Sequence, residues 1–595
     1  MKCSKAWWQS IRMLVAAISL AGPTFALGPA GWAQEQKPEV PSPAIRVSVR
    51  LVLADAVVTD KDGKVVTGLG PQDFTVLEDG KPQKVTMVSF EQPAELARAL
   101  RGQRAIMPPN VTTNRPAYRM PSGAPVIVLL DALNTPVQDQ SRARLEMLKY
   151  LDKQLQPGQQ IAVYTLARSL KMLQDFTDDP ALLKAAVQSF NPSVSMELQI
   201  ADVNQRLPRL SGALPDSGVR SPGRDPGLFI ARMQEFYEEQ VNVVTDARVG
   251  MTLTAFRGIA QAVAGLPGRK SLVWVSGAFP MATYSRVIQY SANPSNDPNR
   301  VRIENLYEDK LREADSILTD AQVAVYAVDA RGLVGQLLGG AEDQGVSKAG
   351  TLVGGAEYAQ SLQLASGALQ ETQATMKQVA GDTGGKFFIN QNELDHSVAL
   401  SVQDGASYYL LAYSPEGKAD GKYHKIEVKV NRPGTTVRAR HGYNAVGSGD
   451  DAKATKQRDA EVGMAMQYGS PGATGVTFDA RVMPPAPASR MKVGVDFLVD
   501  PSTISTEDAG GGKKLALEFH VAAYGADRKL AGQKDVAIKP TLKSADFARI
   551  QQQGLPYHVD VELPPGRYTL RLGVVDQHSG VIGTADMPLA LEGPK

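Results

Sequence analysis

The feature that most constrains the fold is an alternation of apolar strand-like runs with helical patterns between Pro125 and about Phe388. The first run, Val126 to Leu130, is continuously apolar, which is typical of a strand covered on both faces. Strands that alternate with helices predict an α/β fold with a doubly wound, mostly parallel sheet. The predicted strands are Val126 to Leu130, Gln160 to Leu166, Leu170 to Phe176, Ser271 to Val275, Val323 to Val328 and Lys386 to Ile389.

The first run ends at Asp131, and Thr135 follows four positions later. An aspartate at this place resembles the adhesion site of von Willebrand factor A (vWA) domains, whose D-x-S-x-S motif holds a divalent cation. Leu133 stands where that motif has its middle serine, and Thr135 stands where it has the last one. The resemblance implies that Asp131 and Thr135 bind Mg²⁺ or another divalent cation. Alternatively, a carboxylate at a strand end braces the following turn by accepting backbone N–H groups, with no ion.

The resemblance also indicates where the other cation ligands of a vWA domain would fall. Ser276 stands in place of the family's aspartate, and Thr252 or Thr254 stands in place of its threonine. Asp329 ends the fifth predicted strand, and neighbouring strands lie about 4.8 Å apart. With the usual strand order of the family, Asp329 is therefore expected about 10 Å from Asp131, at the periphery of the site rather than among the ligands of the cation.

Residues 45 to 445 are similar, over a wider span, to exported vWA-related proteins described mainly in acidobacteria. This resemblance implies a fold and a binding role, and it names no ligand. The matching stretches are Phe74 to Lys81, Pro267 to Gly277, Val325 to Asp329, Thr383 to Lys386 and Tyr408 to Pro415.

The flanking segments are rich in short strand patterns and turn signals. Asp62-Gly63 and Asp79-Gly80 predict two hairpins. Residues 91 to 122 have several prolines and no periodicity, which favours a connector. The predicted units are a small β-domain at 45–92, a vWA-like domain at 124–445 with insertions at 191–227 and 331–356 and a β extension, a polar linker at about 447–472, and a β-sandwich at 474–595.

Residues 1–33 have the features of a secretory signal, with a basic start and an apolar stretch from Met13 to Leu20. We therefore expect an exported protein in the periplasm, at the cell surface or secreted, with no transmembrane segment in the mature chain. Removing the signal takes away Cys3 and three basic residues, which leaves 61 basic against 62 acidic residues. That neutral balance argues against nucleic acid as a partner.

The favoured hypothesis is a non-enzymatic adhesion or assembly protein that binds another protein at the carboxyl edge of its sheet. The alternatives are a hydrolase with a site in the insertions, for which the chain shows no paired acid and base, or a structural component of the envelope. The six histidines have no metal-protease spacing, and no G-x-S-x-G elbow surrounds Ser276. The residues predicted to contact a partner are Asp131, Asn134, Thr135, Ser276 and Asp329.

Overall fold

A computed structural model describes most of the chain beyond the first 50 residues. The predicted signal and large parts of the two predicted insertions lie outside the described residues. Those residues are 51–92, 108, 110–115, 124–155, 158–198, 226–279, 309–312, 314–331, 369–370, 372–389, 394–415, 422–445, 452–483, 485, 491–509 and 511–592.

The regular elements fall into a central α/β part with a β-rich part on either side of it. The strands are β1 (Val52–Thr59), β2 (Phe74–Glu78), β3 (Lys81–Gln83), β4 (Val85–Glu91), β5 (Val111–Thr113), β6 (Val126–Asp131), β7 (Ile161–Leu166), β8 (Leu170–Thr177), β9 (Lys270–Ser276), β10 (Val323–Asp329), β11 (Lys386–Phe388), β12 (Tyr408–Tyr413), β13 (Tyr423–Val430), β14 (Thr436–Ala439), β15 (Gly442–Asn444), β16 (Phe478–Met483), β17 (Met491–Val499), β18 (Glu507–Ala509), β19 (Gly512–Lys514), β20 (Leu517–Gly525), β21 (Leu530–Ile538), β22 (Thr541–Lys543), β23 (Leu555–Leu563), β24 (Gly566–Asp576) and β25 (Ile582–Leu591). The helices are α1 (Val137–Lys153), α2 (Pro180–Ser189), α3 (Pro226–Val263), α4 (Leu394–Ala406), α5 (Ala452–Ala465) and α6 (Ser544–Gln553), with further helical segments at 314–320 and 372–382.

The central sheet has six strands in the order β11-β10-β9-β6-β7-β8. All pairs are parallel except β7 with β8 at one edge. The strand order reverses between β6 and β9, so the ends of these two strands lie at a switch point, where ligands of such sheets bind. The prediction of a mostly parallel α/β sheet is confirmed.

Helices cover both faces of this sheet, as the alternation predicted. On one face the core includes Leu129 and Trp274 together with Val249 and Phe256 of α3. On the other face, Val128 and Leu130 pack with residues of α1, α2 and α4. Because successive side chains of a strand point to opposite faces, Asp131 shares the α3 face with Leu129.

The N-terminal strands do not pair only among themselves. They interleave with the segment after the central sheet, and give two four-stranded sheets of order β14-β1-β12-β4 and β15-β13-β2-β3. Their facing side chains form one core that includes Val76, Tyr409 and Ile426. The segments that the sequence divided into a small β-domain and a β extension are therefore joined by strand pairing.

The C-terminal region is rich in β-structure, with four-stranded sheets of order β23-β17-β16-β5 and β21-β20-β24-β25 around a common core. Two segments that were expected to be connectors contain regular structure. The predicted connector contributes β5, which pairs with β16, and the predicted polar linker contains α5. β5 is only three residues long, which is too short for a periodic signal.

Candidate functional site

Four of the predicted site residues meet at the carboxyl end of β6. Val275 lies beside Leu130 in the register of β9 and β6, so the residues that follow them, Ser276 and Asp131, are also neighbours. The turn after β6 then brings back Asn134 and Thr135. All four side chains are buried, with at most 2% of each exposed.

The carboxylate of Asp131 accepts hydrogen bonds on both oxygens. Oδ1 accepts the backbone N–H of Asn134 at 3.0 Å. Oδ2 accepts from the Asn134 side-chain amide at 2.9 Å, the Ser276 hydroxyl at 2.8 Å and the Trp274 indole N–H at 3.1 Å. The turn-bracing alternative therefore describes the observed contacts of this residue.

Asn134 connects Asp131 to helix α3. Its amide nitrogen lies 2.9 Å from Oγ1 of Thr252, and its amide oxygen accepts from Nε of Arg248 at 3.1 Å. Arg248 is 2% exposed, and Thr252 lies one helical turn after it. The result is a continuous buried network that runs from Asp131 through Asn134 to a guanidinium.

Burial shifts the pKa of both the guanidinium and the carboxylate. Burial lowers the pKa of Arg248 to about 10, while the charges of Asp131 and Glu197 act against that change. Arg248 is therefore a cation at neutral pH. Burial also raises the pKa of Asp131, and the hydrogen bonds from Asn134, Ser276 and Trp274 oppose the rise.

These contacts do not fit a divalent cation at Asp131. Mg²⁺ takes oxygen ligands in a nearly ideal octahedron, but Asp131 already faces three N–H groups and a hydroxyl. Oγ1 of Thr135 accepts the backbone N–H of Gly277 at 2.9 Å. The positive charge near the carboxylate comes from Arg248, which would repel a second cation.

Asp329 lies apart from this network. β10 is two strands away from β6, and both Asp329 oxygens are bound by Arg331, with Nε and Nη2 each at 2.8 Å. Gln373 donates to Oδ2 of Asp329 at 2.9 Å. Asp329 is 2% exposed, so it is a braced residue at the end of its strand.

Sequence reasoning missed Arg248 and Trp274, and it gave Thr252 only as one of two options. Trp274 was detectable, because it lies two residues before Ser276 in β9 and shares its face. Arg248 had no signal of this kind. Its position depends on how α3, a helix of 38 residues, packs across the sheet.

A rim formed by residues 191–198 lies next to this network. Nε2 of Gln140 is within 2.7 Å of the Thr135 carbonyl and 2.9 Å of the Ser193 carbonyl, and the Ser193 N–H donates to Oε1 of Gln140 at 3.0 Å. Val194 and Met196 follow, with 57% and 58% of their surfaces exposed. The rim thus presents apolar side chains on a segment that is tied to the site.

Comparison with known proteins identifies no family. No protein-family model matches the chain, and no curated protein matches it. Solved structures with partial similarity include an aerotolerance-related membrane protein of Bacteroides fragilis, with 12% identity over 47% of this chain and 98% of that chain and a TM-score of 0.21. BatB of Bacteroides thetaiotaomicron has 13% identity over 48% of this chain and 99% of its own, with a TM-score of 0.20. A mussel byssus protein, proximal thread matrix protein 1, has 11% identity over 47% of this chain and 46% of its own, with a TM-score of 0.19.

At such TM-scores the likenesses establish neither a fold nor a function for this chain. Within the described ranges, no helix combines the length and the apolar character needed to cross a bilayer.

Proposed function

We propose that the protein is an exported, non-enzymatic binding protein of the vWA type, which recognises a protein partner at the carboxyl edge of its central sheet. The acidobacterial relationship and the location outside the cytoplasm are parts of this proposal. They rest on the sequence resemblance and on the N-terminal signal pattern.

The observation that carries the proposal is the exposed rim beside a buried, hydrogen-bonded polar network. Val194 and Met196 are more than half exposed, and Gln140 ties their segment to the turn after β6. Arg168 pairs with Glu197 at 3.4 Å and keeps 73% of its own side chain exposed. Apolar side chains next to an arginine, on a fixed backbone, are suited to anchor a protein interface.

The proposed contact uses no bridging metal ion. Asp131 and Thr135 were predicted to hold a cation that reaches the partner, but both side chains are buried and hydrogen-bonded within the chain. We assign them instead to support of the rim. The polar contacts at this edge also favour binding over hydrolysis, because the Ser276 hydroxyl is buried and donates to a carboxylate that already accepts three other hydrogen bonds.

Differential capture tests this proposal. The full chain is immobilised and exposed to an envelope extract of its source organism, alongside a Val194→Asp/Met196→Asp variant. We expect a protein that the wild-type chain retains in EDTA and that the variant loses, with no change in the melting temperature of the variant.

Leu145→Asp is the matched control, because Leu145 is 59% exposed on α1 outside the rim. It should retain the same partner. Equal capture by the rim variant and the wild type would refute the rim as the contact surface. Loss of capture in EDTA would refute the metal-independent contact.

A further inference from the structure

Three metal-ligating side chains converge outside the central sheet, in the β-unit formed by the first strands and the strands after α4. They are Glu78, Asp79 and His424, and one ligand atom from each lies within 4.8 Å of the other two. Nδ1 of His424 lies 2.8 Å from Oδ2 of Asp79 and 3.6 Å from Oε1 of Glu78. We call these three residues the hairpin cluster.

Strand pairing fixes the backbone of the hairpin cluster. Asp79 and Gly80 form the two-residue turn between β2 and β3, with φ of 49° and 78°, as expected for a hairpin turn that needs positive φ at both positions. The Asp79 N–H donates to the Lys425 carbonyl at 2.9 Å, and Oδ1 of Asp79 accepts the Lys425 N–H at 2.9 Å. The turn is therefore held against β13.

The same pairing brings Glu78 and His424 to one face. Glu78 lies opposite Ile426 in the register of β2 and β13, and His424 is two residues from Ile426. Side chains two apart on a strand point the same way. The cluster is thus made by one strand end, one turn and one neighbouring strand.

Tyrosines orient the ligand groups. The Tyr413 hydroxyl donates to Oε2 of Glu78 at 2.7 Å, and the Tyr443 hydroxyl donates to Oε1 at 3.2 Å. The His424 ring stacks on Tyr443, with centroids 5.5 Å apart and an interplanar angle of 23°. Such partners behind the ligands fix their direction and raise metal affinity.

We propose that the hairpin cluster is a Zn²⁺ site with Oε1 of Glu78, Oδ2 of Asp79 and Nδ1 of His424 as ligands. An imidazole with two carboxylates favours zinc or a similar transition metal over Mg²⁺ and Ca²⁺, which prefer oxygen alone. Zinc is held tetrahedrally at ligand distances of about 2.0–2.2 Å, so two ligand atoms of one ion are about 3.4 Å apart. The cluster reaches this geometry with small side-chain movements.

The environment also suits an ion that enters from solvent. The side chain of Asp79 is 50% exposed, while those of Glu78 and His424 are 8% and 21% exposed. Water can therefore complete the coordination on the Asp79 side. Bound zinc would neutralise the two carboxylates and fasten the β2–β3 turn to β13.

His558 also lies between two carboxylates, but its ligand atoms do not converge as those of the hairpin cluster do. His558 contacts Asp496 through Nδ1 at 2.6 Å and Asp560 through Nε2 at 3.0 Å. Its carboxylates lie on opposite sides of the ring, so they do not converge with one ring nitrogen on a common point. His558 is therefore a matched control.

Calorimetric titration of ZnCl₂ into the metal-stripped full chain tests the site. The expected result is one Zn²⁺ bound per chain by the wild type. Asp79→Asn and His424→Ala should each bind at least tenfold more weakly, and His558→Ala should bind as the wild type does. MgCl₂ should give no heat at this site.

Asp79→Asn keeps the test decisive if His424→Ala folds poorly. Asparagine tolerates positive φ, and its amide oxygen can still accept from Lys425. Circular dichroism confirms that each variant is folded. Absence of zinc binding by the wild type, or wild-type affinity in Asp79→Asn, would overturn the proposal.

Discussion

The hairpin cluster and the Asp131 network use similar residue types for opposite purposes. Around Asp131, N–H and O–H donors converge on one carboxylate, and Arg248 supplies the positive charge. In the hairpin cluster, two carboxylates converge with an imidazole nitrogen. A carboxylate at a strand end therefore indicates a cation site when further acceptor atoms converge with it, as those of Asp79 and His424 do with Glu78.

The largest expected effect is the loss of Asp131. Asp131→Ala leaves the Trp274 indole N–H without its acceptor and the buried Arg248 guanidinium without its counter-charge, which should cost about 3–5 kcal/mol of the free energy of unfolding. Urea denaturation measures it. Asp178→Ala, at an exposed position, is the control and should stay within about 0.5 kcal/mol. A cost below about 1 kcal/mol would contradict a stabilising charge interaction between Asp131 and Arg248.

An intermediate effect is expected behind the hairpin cluster. Tyr413→Phe removes the hydroxyl that donates to Oε2 of Glu78, so the ligand loses part of its orientation. Zinc affinity should fall about 10- to 100-fold, as measured by competition with a zinc-binding dye. Tyr568→Phe is a control, because the Tyr568 hydroxyl donates to the Pro564 carbonyl, far along the chain. Equal affinities in both variants would contradict the role given to Tyr413.

The smallest expected effect concerns the protonation of His558. The hydrogen bond to Asp496 raises the pKa of His558, with Asp560 adding to the rise and burial opposing it. Because the folded-state pKa exceeds the ordinary value of about 6.5, the stabilisation is fully present below that value and is lost as pH rises through the folded-state pKa.

His558→Gln should therefore cost more stability at pH 5.5 than at pH 8.5, by less than about 1 kcal/mol because the group is partly exposed. Thermal melts of both proteins at the two pH values measure this difference. Asp496 and Asp560 contact the ring, and Lys492 pairs with Asp560. A cost that does not change with pH would contradict the assignment.

Much of the central fold could be predicted from sequence. The six apolar runs that end near Leu130, Leu166, Phe176, Val275, Val328 and Ile389 all became strands of one sheet. Pairing across the chain could not be predicted. β1 pairs with β12 and β14, so residues more than 350 positions apart in the chain are neighbours in one sheet.

The site was predictable in its position and not in its chemistry. Asp131, Asn134, Thr135 and Ser276 come together as the strand ends indicated, but their hydrogen-bond partners depend on α3 and on the Trp274 side chain. Asp79-Gly80 was predicted only as a turn, and that turn is confirmed. Asp79 could not be recognised from sequence as a metal ligand, because its neighbour His424 lies 345 residues later in the chain.

The most direct test is the location of bound ions by anomalous X-ray diffraction from crystals soaked separately in Zn²⁺ and in Mn²⁺, a stand-in for Mg²⁺. We expect a zinc peak between Glu78, Asp79 and His424, and no manganese peak beside Asp131. A manganese peak bridging Asp131 and Thr135, with the Trp274 indole turned away from the carboxylate, would contradict this expectation.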